Sequence, residues 1–117
     1  MRINEIQYTD ALPVEGYGPG FFRIGGERLD GPQLVTPGGT AGWGGYDDIA
    51  PLEALAGQID VLFIGTGAEM AHIPTALRER LEAVGIGVET MNSPSACRTY
   101  NILLSEGRRV AAALLPV

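Results

Sequence analysis

Hydrophobic and polar positions change their pattern near residue 50. From Pro51 onward, continuous apolar runs alternate with segments in which apolar residues recur every three or four positions. The continuous runs predict strands buried on both faces, and the periodic segments predict helices that begin at a proline. The predicted strands are "IDVLFIG", "IGVETM" and "RRVAAALLPV", and the predicted helices cover residues 51–57, 74–84 and 94–104. This alternation indicates βαβ units and a largely parallel sheet.

The first fifty residues are rich in glycine and proline instead. "GFFRIGGERLDG" predicts a hairpin, because the Gly25-Gly26 turn tolerates positive φ. "PQLVTPGG" predicts a short strand that ends at Pro-Gly-Gly. Trp43 and Tyr46 follow, either as part of a contact surface or as a cover for the sheet edge, and we favour the cover.

Composition and charge limit the partners. A chain of 117 residues, 45% hydrophobic, is expected to form one domain over residues 1–117. The net charge is -6 and the eight basic residues are dispersed arginines, which excludes nucleic acid and anionic membrane surfaces as expected partners. No apolar run approaches the roughly 18 residues that a membrane span requires. The N-terminal sequence has acids and no apolar segment of a secretory signal, so we expect a cytoplasmic protein.

Metal sites and disulfides are not expected. Cys97 is the single cysteine and His72 the single histidine. One cysteine excludes an internal disulfide and a multi-cysteine zinc site. We therefore expect neither a metal nor a cofactor.

Candidate chemistry follows the predicted parallel strands, since ligands of open α/β sheets bind beyond the carboxyl ends of the strands. Gly65, Thr66 and Gly67 leave the first buried strand. Their backbone suits the binding of an anion, or alternatively a tight turn from strand to helix. Met70 stands where a dinucleotide-binding loop would have a third glycine, so we favour the turn.

The second candidate segment is "SPSACRTYN", with Ser93 as the predicted N-cap of a helix. Cys97 lies in the first turns beside Arg98, an environment that lowers a thiol pKa and favours a nucleophile. A cysteine nucleophile also needs a base, and only His72 is available. Cys97 lies at the margin of the apolar helix face, so we favour a structural role.

Arg98 and Asn101 are three residues apart and share the outer side of this helix. A guanidinium beside an amide suits the recognition of a carboxylate or phosphate. Alternatively, Arg98 is solvated or paired with a carboxylate such as Asp60 or Glu69. The sequence leaves these two interpretations open.

These segments resemble the Mth938-like domain family. The features that carry the resemblance are the strand that ends in Gly65-Thr66-Gly67, the Ala96-x-Arg98-Thr99-Tyr100-Asn101 helix and Glu106-Gly107-Arg108 before the last strand. The resemblance implies a three-layer α/β fold with a mixed central sheet, flanking helices and a small N-terminal β layer. It also implies that the last strand runs antiparallel to the others. The family includes the mitochondrial complex I assembly factor 3, and the resemblance carries over no catalytic residues.

Two functions remain. The first is a non-catalytic binding or assembly domain with a protein partner, in which changes at Arg98 or Trp43 disturb a complex. The second is a small-anion-binding protein or enzyme. The candidate binding residues are Gly65, Thr66, Gly67, Cys97, Arg98 and Asn101. The sequence decides neither a monomer nor a homodimer.

Overall fold

The computed structural model describes residues 12–117. In chain order the elements are β1 (Val14–Gly18), β2 (Phe21–Ile24), β3 (Glu27–Asp30), β4 (Gln33–Thr36), β5 (Gly39–Gly42), α1 (Ala50–Glu53), β6 (Val61–Thr66), α2 (Thr75–Ala83), β7 (Gly87–Met91), α3 (Ser93–Ser105) and β8 (Val110–Leu115). Residues 1–11, which contribute to the argument against a secretory signal, lie outside the described residues. The single domain over residues 1–117 therefore stays a prediction.

The central sheet is mixed and has the strand order β5-β4-β8-β6-β7. β6 lies parallel to both β7 and β8, as the alternation of helices and strands predicted. β4 is antiparallel to its neighbours β5 and β8. The expectation that the last strand is antiparallel to the others is wrong, because α3 carries the chain back across the sheet and β8 enters in the direction of β6.

The two crossovers place their helices on opposite faces of the sheet. β7 and β8 flank β6 on different sides, so right-handed connections through α2 and α3 must use different faces. Leu52 of α1 and Leu77 of α2 pack in one buried cluster, and Ala96 and Tyr100 of α3 pack in the other. Alternate residues of β8 contribute to both clusters, which explains why its apolar run is continuous.

The N-terminal strands form a small antiparallel sheet in the order β1-β2-β3. Gly25 and Gly26 turn between β2 and β3 with φ of 63° and 79°, so the predicted hairpin is confirmed. Phe22 of this sheet packs in the same cluster as α3. The sheet and α3 thus form a layer together, and the three-layer α/β fold is confirmed.

Trp43 follows β5 and belongs to the core. Its side chain is buried, its ring contacts Tyr46 edge to face at 6.1 Å, and its indole N–H donates to the carbonyl of Asp48. Burial also raises the pKa of Tyr46. Trp43 is therefore not a docking residue, and a change there is expected to act through stability.

Candidate functional site

The end of β6 meets the start of α3 with no space for a side chain at Gly65. A Cβ at this position would lie 2.7 Å from Oγ of Ser93 and 2.9 Å from its Cα. Since atoms do not approach so closely, only glycine lets strand and helix come together here. Gly65 is thus required by packing.

Ser93 fills the crevice between the strand ends. Its Oγ accepts a hydrogen bond from the amide of Gly67 at 3.0 Å and donates to the carbonyl of Leu115. Its own amide donates to the carbonyl of Gly67 at 2.8 Å. The N-cap of α3 is Asn92, whose Oδ1 accepts from the amide of Ser95, so the prediction of Ser93 as the cap is wrong by one residue. The Ser93 hydroxyl bonds to Gly67 and Leu115, which lie far away in the chain, and therefore does not cap the helix.

Thr66 closes the loop that follows β6. Its hydroxyl donates to the carbonyl of Glu69 at 2.7 Å and accepts from the amide of Ala71 at 3.1 Å. Together with the bonds of Gly67 to Ser93, these contacts hold a tight turn between strand and helix. The Gly67 amide that an anion would need is already bonded, which agrees with the turn favoured from the sequence.

A cavity of about 250 Å³ lies beside α3, where the helix passes β1. Its lining residues are Val14, Glu15, Gly16, Tyr17, Pro94, Cys97, Arg98, Asn101 and Ile102. Arg98 and Asn101 therefore share one surface, as the helical spacing predicted, and Cys97 lines the same cavity. Gly65, Thr66 and Gly67 do not line it, so the structure does not join the two candidate segments into one pocket.

Cys97 lies at the buried side of this cavity. Its side chain is 4% exposed, and burial raises the pKa of the thiol to about 11. Removal of the thiol from water raises its pKa by more than the backbone hydrogen bond lowers it. The thiol stays protonated at neutral pH, which agrees with a structural role rather than a nucleophile.

Asn101 holds β1 against α3. Its Oδ1 accepts from the amide of Val14 and its Nδ2 donates to the carbonyl of the same residue, both at 2.8 Å. The side-chain amide thus forms with Val14 the two hydrogen bonds that a residue of a neighbouring strand would form. Nearby, the buried hydroxyl of Tyr100 donates to the carbonyl of Leu12, and burial raises the pKa of Tyr100 to about 12. One N–H of the Asn101 amide is therefore used by Val14, and only the other could contribute with Arg98 to the binding of an anion.

The outer part of the cavity is exposed and is lined by both charged and apolar side chains. Arg98 is exposed and forms no ion pair with any carboxylate in residues 12–117. The suggested partner Asp60 pairs instead with Arg109 at 3.0 Å, and that hydrogen bond lowers the pKa of Asp60. Tyr17 and Ile102 are 46% and 52% exposed.

Sequence reasoning missed Ile102 and Tyr17 as surface residues. Apolar side chains within a helix and a strand are ordinarily assigned to the core. A helical wheel centred on Ala96 and Tyr100 places Ile102 on the outer side, and this was the available signal. No comparable signal existed for Tyr17, because β1 was not predicted.

Two further observations concern the described part of the chain. No helix within residues 12–117 is long and apolar enough to cross a membrane. The same residues contain no group of three or more histidine, cysteine, aspartate or glutamate side chains placed to hold a metal ion.

Sequence comparison finds relatives over most of the chain. An uncharacterized protein of Rhodobacter capsulatus is 52% identical over all 117 residues, which cover 94% of that protein. The NADH dehydrogenase [ubiquinone] 1 alpha subcomplex assembly factor 3 of Danio rerio is 39% identical over 88% of this chain. The matched region spans 63% of the Danio rerio protein.

Solved structures share the fold. A protein from Bartonella henselae, described as an outer membrane protein, superposes with a TM-score of 0.84 at 37% identity and covers 91% of this chain and 95% of that one. A Mth938-like domain from Bordetella pertussis gives a TM-score of 0.76 at 30% identity, with 99% and 92% covered. The model of the family described as "Protein of unknown function (DUF498/DUF598)" matches residues 14–115. This chain belongs to that family.

Proposed function

We propose that this chain is a non-catalytic, assembly-type domain that binds another protein in the cytoplasm. We further propose that the partner docks on the surface of α3 and β1 around Ile102, Tyr17 and Arg98, which we call the α3–β1 surface. The observation that carries the proposal is this surface: two exposed large hydrophobic side chains line one cavity with an exposed arginine.

Composition of the α3–β1 surface supports a protein partner. Aromatic side chains and arginine are enriched where proteins bind one another, and a buried isoleucine contributes to the apolar centre of an interface. Assembly factors among the relatives support the same class of function. The buried, protonated thiol of Cys97 supports a role without nucleophilic catalysis.

The anion-binding alternative now rests on Arg98. The amide of Gly67 is bonded to Ser93, and the side-chain amide of Asn101 is bonded to Val14. A single exposed guanidinium attracts anions weakly because water screens it. We therefore place this alternative second.

Affinity capture from the native cell tests the proposal with matched pairs of variants. Ile102→Glu and Val84→Glu each add one negative charge at an exposed apolar side chain on a helix or at its end. Arg98→Glu and Arg108→Glu each reverse one exposed arginine. We expect Ile102→Glu and Arg98→Glu to lower the recovery of a bound protein about tenfold, because interface centres carry most of the binding energy.

The two control variants should recover the same protein as the wild type. Equal recovery by all four variants would contradict docking on the α3–β1 surface. If phosphate raises the melting temperature of the wild type and not of Arg98→Ala, the anion alternative gains instead. At 100 times its dissociation constant, a ligand stabilises by about 3 kcal/mol, which a thermal melt resolves easily.

A further inference from the structure

In the described part of the chain both sheets end in edge strands, and three of these four edges carry a feature that blocks pairing with another strand. Asn101 occupies the backbone of β1 at Val14. On β7, the guanidinium of Arg78 donates to the carbonyl of Val88 at 3.0 Å. The exposed residues of β3 include the ion pair of Arg28 with Asp30. Charged and capping side chains of this kind prevent sheets from joining at their edges.

β5 differs from the other three edge strands. Its sequence is Gly39-Thr40-Ala41-Gly42, which has no charge and no side chain larger than threonine. It pairs with β4 alone among the described strands. The turn at residues 37–38 joins the paired residues Thr36 and Gly39, so the backbone groups of Thr40 and Gly42 point away from β4. Within residues 12–117 no strand pairs with these N–H and C=O groups, which therefore offer a template for one more strand.

Clefts flank the β5 edge on both faces of the sheet. On the α1 side, a cleft of about 380 Å³ is lined by Leu34, Pro51 and Leu55 and contains no charged residue. On the other side, a cleft of about 240 Å³ includes Glu27 and Leu29 of β3 together with Thr40. The hydroxyl of Thr40 is buried there with no hydrogen-bond partner among residues 12–117. Alternate side chains of an added strand would enter the two clefts in turn.

We infer that β5 is a second binding edge, which accepts an extended segment of another protein by strand addition. The occupant has apolar side chains on the face toward α1 and basic side chains on the face toward Glu27. Charge complementarity supports this chemistry, because the chain carries a net charge of -6 and Glu27 is exposed at the cleft. Strand addition combines backbone hydrogen bonds for affinity with pockets for alternate side chains.

A second copy of this chain fits the β5 edge poorly. If two β5 strands paired about a two-fold axis, each would offer the other only glycine, alanine and threonine, which leave the cleft on the α1 side unfilled. Both copies would also carry a charge of -6. The inference rests on the proposed function only in taking another protein as the partner.

Amide hydrogen exchange with a defined peptide tests the inference. The probe is an end-blocked hexapeptide in which valine and lysine alternate, added to the isotope-labelled full chain. We expect the amides of Thr40 and Gly42 to exchange about tenfold more slowly with peptide, while Ala41, already bonded to β4, changes little. The same peptide with N-methyl groups on every second residue cannot donate to the edge and should give no protection.

Variants separate the β5 edge from general charge effects. Ala41 and Ala68 are both exposed, so Ala41→Lys and Ala68→Lys change the net charge equally. We expect Ala41→Lys to weaken peptide binding about tenfold and Ala68→Lys to leave it near the wild-type value. Ile102→Glu should bind the peptide normally, so a failure here is distinguishable from a failure of the α3–β1 surface.

Two results would overturn the inference. One is the absence of protection at Thr40 and Gly42 with peptide at about 1 mM, the weak end of measurable affinity. The other is protection without peptide that increases with protein concentration, which would assign the edge to a second copy of this chain.

Discussion

Two regions beside the N-terminal half of α3 differ in how far their side chains and backbone groups are occupied. One is the end of β6, which packs against the start of the helix, and the other is the cavity between the helix and β1. At the end of β6, Gly67 and Ser93 bond to each other, and the Ser93 hydroxyl also donates to the carbonyl of Leu115, so the Gly67 amide and the Ser93 hydroxyl are not free for a ligand. A few residues later, Arg98 and Ile102 project from α3 into a cavity beside β1. The position where ligands of α/β sheets usually bind is therefore filled, and the exposed surface lies beside it.

A typical location is therefore weaker evidence for a binding site than hydrogen-bonding groups that have no partner within the protein. Glycines and a serine at strand ends are equally suited to holding an anion and to holding the chain together. Which role they have depends on whether their hydrogen-bonding groups already have partners. We call the packed residues Gly65, Gly67 and Ser93 the closed region, and the α3–β1 surface the open region. The following predictions test how tightly the closed region is packed and whether the open region contributes to stability.

Gly65→Val should have the largest effect. Its Cβ would overlap Ser93, whose Cα cannot move without shifting the start of α3. We expect a loss of about 3 kcal/mol in the free energy of unfolding, measured with denaturant. Gly16→Val, on the open side, is the matched control, since nothing lies within 4 Å of a Cβ there. Equal losses for the two variants would show that the closed region is no tighter than the open one.

Ser93→Ala should come next. It removes a hydroxyl that satisfies the amide of Gly67 and the carbonyl of Leu115, and both groups would be left without this partner. We expect a loss of about 2 kcal/mol in the free energy of unfolding. Ser95→Ala is the control, because only the amide of Ser95 contributes to the cap of α3. A Ser93→Ala protein as stable as the control would refute the account of the closed crevice.

Alkaline pH should destabilise the fold through the buried groups of α3. The folded-state pKa of Cys97 is raised from 9.0 to about 11, so the unfolded chain loses the thiol proton first. The contribution of the protonated thiol to the free energy of unfolding is therefore fully present below pH 9. It is lost as the pH rises toward 11, by up to about 1 kcal/mol per pH unit. Tyr100, raised to about 12, adds to the loss above pH 10.

Comparison with Cys97→Ala isolates the contribution of the thiol. Unfolding measured at intervals from pH 8 to 11 should show a smaller slope for the variant than for the wild type. Identical slopes would mean that the thiol is not held protonated by burial.

Asn101→Ala should have the smallest of these effects on stability. The variant loses two hydrogen bonds to Val14, both only partly buried, so water can replace the side chain. We expect a loss of about 1 kcal/mol and faster exchange of the Val14 amide. Arg98→Ala on the same side of α3 should change stability by less than about 0.5 kcal/mol. A larger loss for Arg98→Ala would show that the open surface belongs to the stabilising contacts of the fold.

Local pattern was sufficient for most of the secondary structure from β6 onward. α2 was expected over residues 74–84 and lies at Thr75–Ala83, and the continuous apolar runs correspond to β6, β7 and β8. The Gly25-Gly26 hairpin was also predictable because positive φ at a two-residue turn has a specific glycine signature. β1 was not predicted, since "VEGYG" has two glycines and little apolar character.

From the sequence alone, the apolar faces of the helices and the Gly25-Gly26 turn could be predicted, and a structural role for Cys97 was favoured. These properties depend on neighbours within a few positions, so periodicity expresses them. Tertiary structure alone decided the direction of β8, the partners of Ser93 and the pairing of Asn101 with Val14, 87 residues away. Such contacts join segments far apart in the chain, and local patterns carry no information on which segments meet.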